Sequence, residues 1–108
     1  MHDWQESERM SAGEYFTDPA TGITVRRISD ALKVRAHHQA NEVAHSDGVR
    51  ELTYAQWDAA VDEVAGGLVA AGLQPGDRVF LAISNSFVLE MVIAVFACLR
   101  AGGIACPI

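Results

Sequence analysis

Basic charge is scarce in this chain. Eight Lys and Arg side chains face fourteen Asp and Glu, for a formal net charge of -6, and no basic cluster exceeds the pair Arg26-Arg27. Without a basic patch there is no electrostatic footprint for nucleic acid or an anionic membrane surface. Cysteine is almost as rare: Cys98 and Cys106 match neither a zinc spacing nor a disulfide framework, and read as two buried, reduced thiols. The opening MHDWQESERM is acidic, with no basic and then apolar leader, so no signal or transit peptide is expected and the cytoplasm is the default location. The one long apolar run, Phe87 to Ala101, holds Glu90 and Arg100 and would span about 22 Å as a helix, short of a roughly 30 Å hydrocarbon core. It reads as a buried helix, and no membrane span is expected.

Phosphate-binding glycine motifs are missing as well. There is no G-x-x-x-x-G-K-[ST] and no G-x-G-x-x-G, and the turn Ser84-Asn85-Ser86 lacks glycine. What remains is 108 residues, half of them hydrophobic and 20% charged, which suits one small α/β or helical unit and excludes global disorder.

Residues 1–22 show no sustained periodicity, close on the turn-like DPATG, and read as a loose arm; 23–108 read as a partial α/β domain. The spacing Ile28, Leu32, Ala36, Ala40 predicts an amphipathic helix with Ser29 as N-cap. In EVAHSDGVRELTY, Asp47-Gly48 predicts a two-residue hairpin turn, pairing Ser46 with Val49, His45 with Arg50 and Val43 with Leu52. That register puts Val43 and Leu52 on a weak core face. Thr53-Tyr54-Ala55-Gln56 is a capping box, and Leu52 can staple onto Trp57. The helix it starts carries Trp57, Val61, Val64, Leu68 and Ala71 on its apolar side and ends at Gly72, with Leu73 folding back onto Leu68. Gly66-Gly67 inside it costs roughly 1 kcal/mol per glycine against alanine, which predicts a close approach there.

After the turn QPGD, Val79 to Ile83 is apolar without alternation, as in a parallel strand covered on both faces. Ser84-Asn85-Ser86 is expected to cap a helix from Phe87 to Ala101, Gly102-Gly103 to end it, and Ile104 to Ile108 to form a second strand, which makes one right-handed βαβ crossover. The helix holds nine large apolar side chains, worth about 13 to 27 kcal/mol of transfer free energy as an upper value. That is comparable with the roughly 5 to 15 kcal/mol stability of a whole domain. Two strands cannot cover such a helix, so the chain is expected to be cut off in mid-fold, its apolar surface covered by missing chain or by self-association.

Leu52-Thr53-Tyr54, Gly72, Pro75 to Val79, Asn85-Ser86, Ala101-Gly102 and Pro107 form an ordered set. On it, residues 28–108 resemble the N-terminal portion of the adenylate-forming ligases, closest to the acyl-CoA synthetase type. The resemblance implies the opening part of a large α/β domain with an incomplete sheet: helix, β-hairpin, helix, then one parallel crossover. It implies a parent enzyme that activates a carboxylic acid with ATP and Mg²⁺ to an acyl-adenylate, then passes the acyl group to coenzyme A. The family's phosphate loop, its nucleotide contacts and its catalytic lysine lie downstream of the matched segment. No catalytic, cofactor-binding or metal residue is therefore assigned, and the fragment alone is expected to be inactive. An assembly module completed by a partner chain, or a self-sufficient small domain, are the alternatives.

Other chemistry-bearing residues have plainer readings. His37 and His38 point about 100° apart on a helix, with no carboxylate spaced to complete a metal site. His45 reads as a solvated strand residue, Asp58, Asp62 and Glu63 as a solvated helix face, and Asp77 and Arg78 as turn residues. Ser84-Asn85-Ser86 lies at a strand's carboxyl end, where open α/β sheets place ligands, and is the strongest candidate for ligand contact.

Overall fold

The computed structural model describes residues 16–84 and 86–108. Among the described residues the expected α/β order is present, a helix, a hairpin, a second helix and a parallel strand pair joined through a third helix, preceded by a further antiparallel pair. Phe16–Thr17 (β1) and Thr24–Val25 (β2) pair antiparallel around a turn in which Asp18 N–H donates to the Ile23 carbonyl at 2.8 Å. Residues 16–22 of the segment read as an arm thus carry a strand and a turn, and 1–15 lie outside the described residues.

The first described helix, α1, spans Ile28–His38. Its N-cap is Arg27 and not Ser29, because the Asp30 carboxylate reaches back to accept the Arg26 and Arg27 N–H groups at 3.0 and 3.1 Å. Ser29 falls inside the first turn and is buried. Of the four expected inward positions, Leu32 enters the core, Ile28 stays 59% exposed, and Ala40 lies beyond the helix.

Strands β3 (Val43–Ser46) and β4 (Glu51–Thr53) form the expected hairpin in a different register. Ser46 faces Glu51, His45 faces Leu52 and Val43 faces Thr53, with an irregularity between Val43 and His45. The connection is therefore the four residues 47–50, because the Asp47 carboxylate captures the Val49 and Arg50 N–H groups at 2.9 and 2.6 Å. This wraps the chain more widely than a two-residue turn. Val43 is consequently exposed, and Ala44 joins Leu52 against the core.

Helix α2 (Tyr54–Ala70) starts as expected: Thr53 Oγ1 accepts from Gln56 N–H at 3.2 Å, and Gln56 Oε1 accepts from Thr53 N–H at 3.0 Å. It ends as expected too. Gly72, at φ +105°, lets Leu73 N–H reach the Leu68 carbonyl and its own N–H reach Val69, the paired bonds of a Schellman cap. The buried stripe is Trp57, Val61 and Ala65, whereas Val64 is exposed. Gly66 and Gly67 meet nothing within 4 Å of where a Cβ would stand, so the expected close approach is not found among the described residues.

Strands β5 (Arg78–Leu81) and β6 (Ile104–Pro107) are parallel neighbours joined through helix α3 (Val88–Arg100), as expected. Helix α3 closes with the same cap as α2, Gly103 N–H to Cys98 and Gly102 N–H to Leu99. The two helix exits touch: Gly76 N–H donates to the Gly102 carbonyl at 2.8 Å and Ile104 N–H to the Asp77 carbonyl at 2.7 Å. A Cβ at Gly103 would stand 3.2 Å from the Asp77 carbonyl and 3.4 Å from that of Cys98, so a side chain here would press on two main-chain oxygens. The core lies between the three helices, with Leu32, Trp57, Val61, Ala65 and Ala97 at its centre and Val92, Ile93 and Phe96 packed on it. On the sheet, Phe80 is 67% exposed and Ile104 48%, and Ile108 just beyond β6 is 79% exposed.

Candidate functional site

The turn between β5 and α3 lies at the carboxyl end of a parallel strand, where such sheets place ligands. Ser84 Oγ accepts from the Ser86 N–H at 3.3 Å and lies 3.5 Å from Ser86 Oγ, while the Ser84 carbonyl accepts from Phe87 N–H at 2.9 Å. Asn85 lies outside the described residues. Of the expected Ser84-Asn85-Ser86 cap on α3, the two serines do not serve. Phe87 stands at the N-cap position, and among the described residues no side chain bonds the first helical amides, the Ser84 hydroxyl being used inside the turn. Beside it, Ser84, Phe87, Val88, Met91 and Val92 line a cavity of about 120 Å³ that is almost wholly apolar.

The second cluster joins β1–β2 to the end of α1. Asp18, 5% exposed, accepts from Thr21 N–H at 2.9 Å and Thr21 Oγ1 at 2.7 Å through one oxygen, and faces His38 Nε2 at 2.9 Å through the other. The Thr21 hydroxyl, then His38, hold its carboxyl below the usual range. The His37 ring stands edge-on to His38 at 5.1 Å. His38 is thus tied to a structural carboxylate. Among the described residues no group of three or more His, Cys, Asp or Glu side chains is arranged to hold a metal ion.

A third cluster corrects the reading of Asp58 as solvated, while Asp62 stays 52% exposed but is ion-paired. Arg100, from the last turn of α3, sits 2.7 Å from Asp58 Oδ1 and 2.9 Å from Asp62 Oδ1, and donates to the Ser29 carbonyl at 2.7 Å. Its side chain is only 10% exposed. Lys33 of α1 adds a contact to Asp62 at 3.2 Å. Burial works against ionisation of Asp62, but Lys33 and Arg100 outweigh it and hold its pKa below the ordinary value. One guanidinium therefore joins α1, α2 and α3. Arg100 stands in the last turn of an apolar helix, where a cation also complements the helix end, so its position alone did not reveal its partners on α1 and α2. Glu63 remains exposed.

His45 faces Leu52 and not Arg50, and its ring stands edge-on to Trp57 at 4.5 Å. It is half-buried with Nε2 shielded from water, which corrects the solvated reading. Arg50 turns instead to Glu90, 2.7 Å away, and lowers that carboxyl's pKa. Asp77 caps its turn by accepting from Gln74 N–H at 2.8 Å. Cys98 is buried and Cys106 half-buried, both as thiols, with burial pushing Cys98 up in pKa.

None of these clusters forms a nucleotide site. The carboxylates that could serve Mg²⁺, Asp58 and Asp62, are neutralised by Arg100 and Lys33, and no glycine cradle faces the β5–α3 turn. The described residues do not fit a Mg²⁺–nucleotide group.

Residues 32–108 match the family described as AMP-binding enzyme. Triostin synthetase I of Streptomyces triostinicus is 38% identical over 79 residues, 73% of this chain and 15% of that protein. Salicyl-AMP ligase / salicyl-S-ArCP synthetase of Mycobacterium tuberculosis is 43% identical over 87 residues, 81% of this chain and 14% of that protein. Among solved structures, fatty acyl-adenylate ligase from L. pneumophila, in complex with acyl adenylate and pyrophosphate, superposes with TM-score 0.69 at 32% identity. That match covers 78% of this chain and 15% of the ligase. The chain thus spans about 15% of the length of these relatives.

Proposed function

The chain belongs to the AMP-binding enzyme family, the adenylate-forming ligases, and from that premise we propose that it is the structural opening of an acid-activating enzyme. In this reading the whole enzyme joins a carboxylic acid to the α-phosphate of ATP with Mg²⁺, releases pyrophosphate, and then transfers the acyl group to the thiol of coenzyme A with AMP as the leaving group. The observation that carries the reading is the superposition on a fatty acyl-adenylate ligase at TM-score 0.69 over 78% of this chain.

This chain's own residues would do scaffold work. The Arg100 clamp fixes α3 against α1 and α2, and α3 in turn positions β5 and the turn at its carboxyl end. The exposed Phe80 and Ile104 support the view that further protein covers β5–β6 in the working enzyme, since parallel sheets are stable when both faces are covered.

Two measurements test the proposal. The isolated chain, mixed with ATP, Mg²⁺ and assorted fatty or aryl acids, should release no pyrophosphate above a heat-killed control; turnover would contradict the scaffold reading. Residues 32–108, exchanged for the matching segment of the salicyl-AMP ligase, should give a chimera that retains salicylate-dependent pyrophosphate release. A chimera that folds and melts like its parent yet has lost the activity would sink it.

A further inference from the structure

The pair β1–β2 forms a sheet of its own, bonded to neither of the others, and none of its residues belongs to the buried core between the helices. A lone two-stranded hairpin is marginal in water, so its hold on the rest of the fold matters. Between Phe16 and Arg26 a single residue is buried, and it is a carboxylate: Asp18, at the turn. An apolar side chain would dock such a hairpin by burial alone. A charged one docks it only while its hydrogen bonds are made.

Asp18 makes those bonds in two directions. One oxygen gathers its own turn, accepting from the Thr21 N–H and hydroxyl at 2.9 and 2.7 Å, and the other reaches α1, 2.9 Å from His38 Nε2. An ionised carboxylate only accepts, so Nε2 carries a proton whether the ring is neutral or charged. The contact therefore outlasts the charge of His38 but not that of Asp18. Thr21 and Ile23 form one bank of an open groove of about 440 Å³. Besides His38, the titratable groups that face the turn from α1 and α2 are Lys33, His37, Asp58 and Asp62 on the opposite bank.

We propose that Asp18 is a latch: bound to His38 it straps β1–β2 against α1, and its protonation or removal frees the strap while the three-helix core stays folded. The direction of the acid response follows from the bonds. The Thr21 hydroxyl, then His38, hold the carboxyl below its ordinary 3.8, so the latch stabilises above that value and is lost as pH falls through the lower folded one. Opening it moves one bank of the groove away from Lys33 and Asp62. The latch is independent of the ligase reading.

The test is hydrogen exchange with water, followed by NMR on the 108-residue chain. The strap is read at the main-chain N–H groups of Asp18 and Gly22, bonded to the Ile23 and Asp18 carbonyls at 2.8 Å, and the core at the Trp57 indole N–H, bonded to the Val92 carbonyl. At neutral pH, His38→Ala and Asp18→Ala should each speed exchange in the strap by about tenfold or more, the worth of a hydrogen bond to a charged group, and leave the Trp57 indole as it was. His38→Gln keeps an N–H donor and should restore part of the protection. In the natural chain, protection of the strap should change by no more than about fivefold between about pH 8 and pH 6, the worth of an exposed ion pair. It should then fall steeply in acid, a fall that Asp18→Ala should not show. The proposal is overturned if the strap stays protected in either alanine variant, if the Trp57 indole loses protection together with it, or if the natural strap opens between about pH 6 and pH 8.

Discussion

Arg100 is the residue on which three helices meet. Removing a guanidinium that is 10% exposed leaves the half-buried Asp58 without its cation, at a cost below the roughly 3 to 5 kcal/mol of breaking a fully buried pair. Arg100→Met should therefore lower the urea midpoint sharply. Arg100→Lys should recover only part of the loss, because one ammonium cannot reach both aspartates and the Ser29 carbonyl in the same geometry. Asp47 sets a second expectation, this time in pH. Its carboxyl is lowered from 3.8 to about 2, chiefly by the Arg50 and Val49 N–H groups. A carboxyl depressed on folding stabilises above its unfolded value, and that contribution is lost as pH falls through the folded one. Stability of the 47–50 turn should thus decline between about pH 4 and pH 2. Asp47→Asn should flatten that part of a pH titration followed by the amide signals of Val49 and Arg50.

At the scale of elements, legibility followed how local the cause is. The capping box at Thr53, the Gly72 and Gly102 exits and the parallel crossover depend on neighbours in sequence, and all were readable. Hairpin register was not, because it turned on whether Asp47 accepts from the next residues' N–H groups or leaves them to the opposite strand. Likewise Asp30, three residues past Arg27, displaced Ser29 from the cap. The Arg100 cluster joins residues up to 71 apart in the chain, which no local pattern reports. Two helix substitutions check the element-level account. Thr53→Ala should cost about 1 kcal/mol by removing the cap of α2. Gly66→Ala should raise thermal stability by about 1 kcal/mol, since a methyl group there meets open space. A loss at Gly66 would reveal a neighbour at that surface after all.

Taken whole, the chain has a helical core that is well covered and a sheet that is covered on one side. The outward Phe80 and Ile104, with Ile108 beyond, are expected to bind a hydrophobic dye, and Phe80→Lys should reduce the dye signal without lowering the urea midpoint comparably. Unchanged dye binding would place the apolar surface elsewhere. The same geometry separates two tasks within the sheet. Both strands leave helix exits that are bonded to each other through main-chain atoms, Gly76 to Gly102 and Asp77 to Ile104. Strand alignment is therefore settled at the starting line by groups that every amino acid carries. Side chains further along β5 and β6 are left free to vary with whatever lies above them, so divergence between relatives should concentrate there while the paired glycine corners stay put.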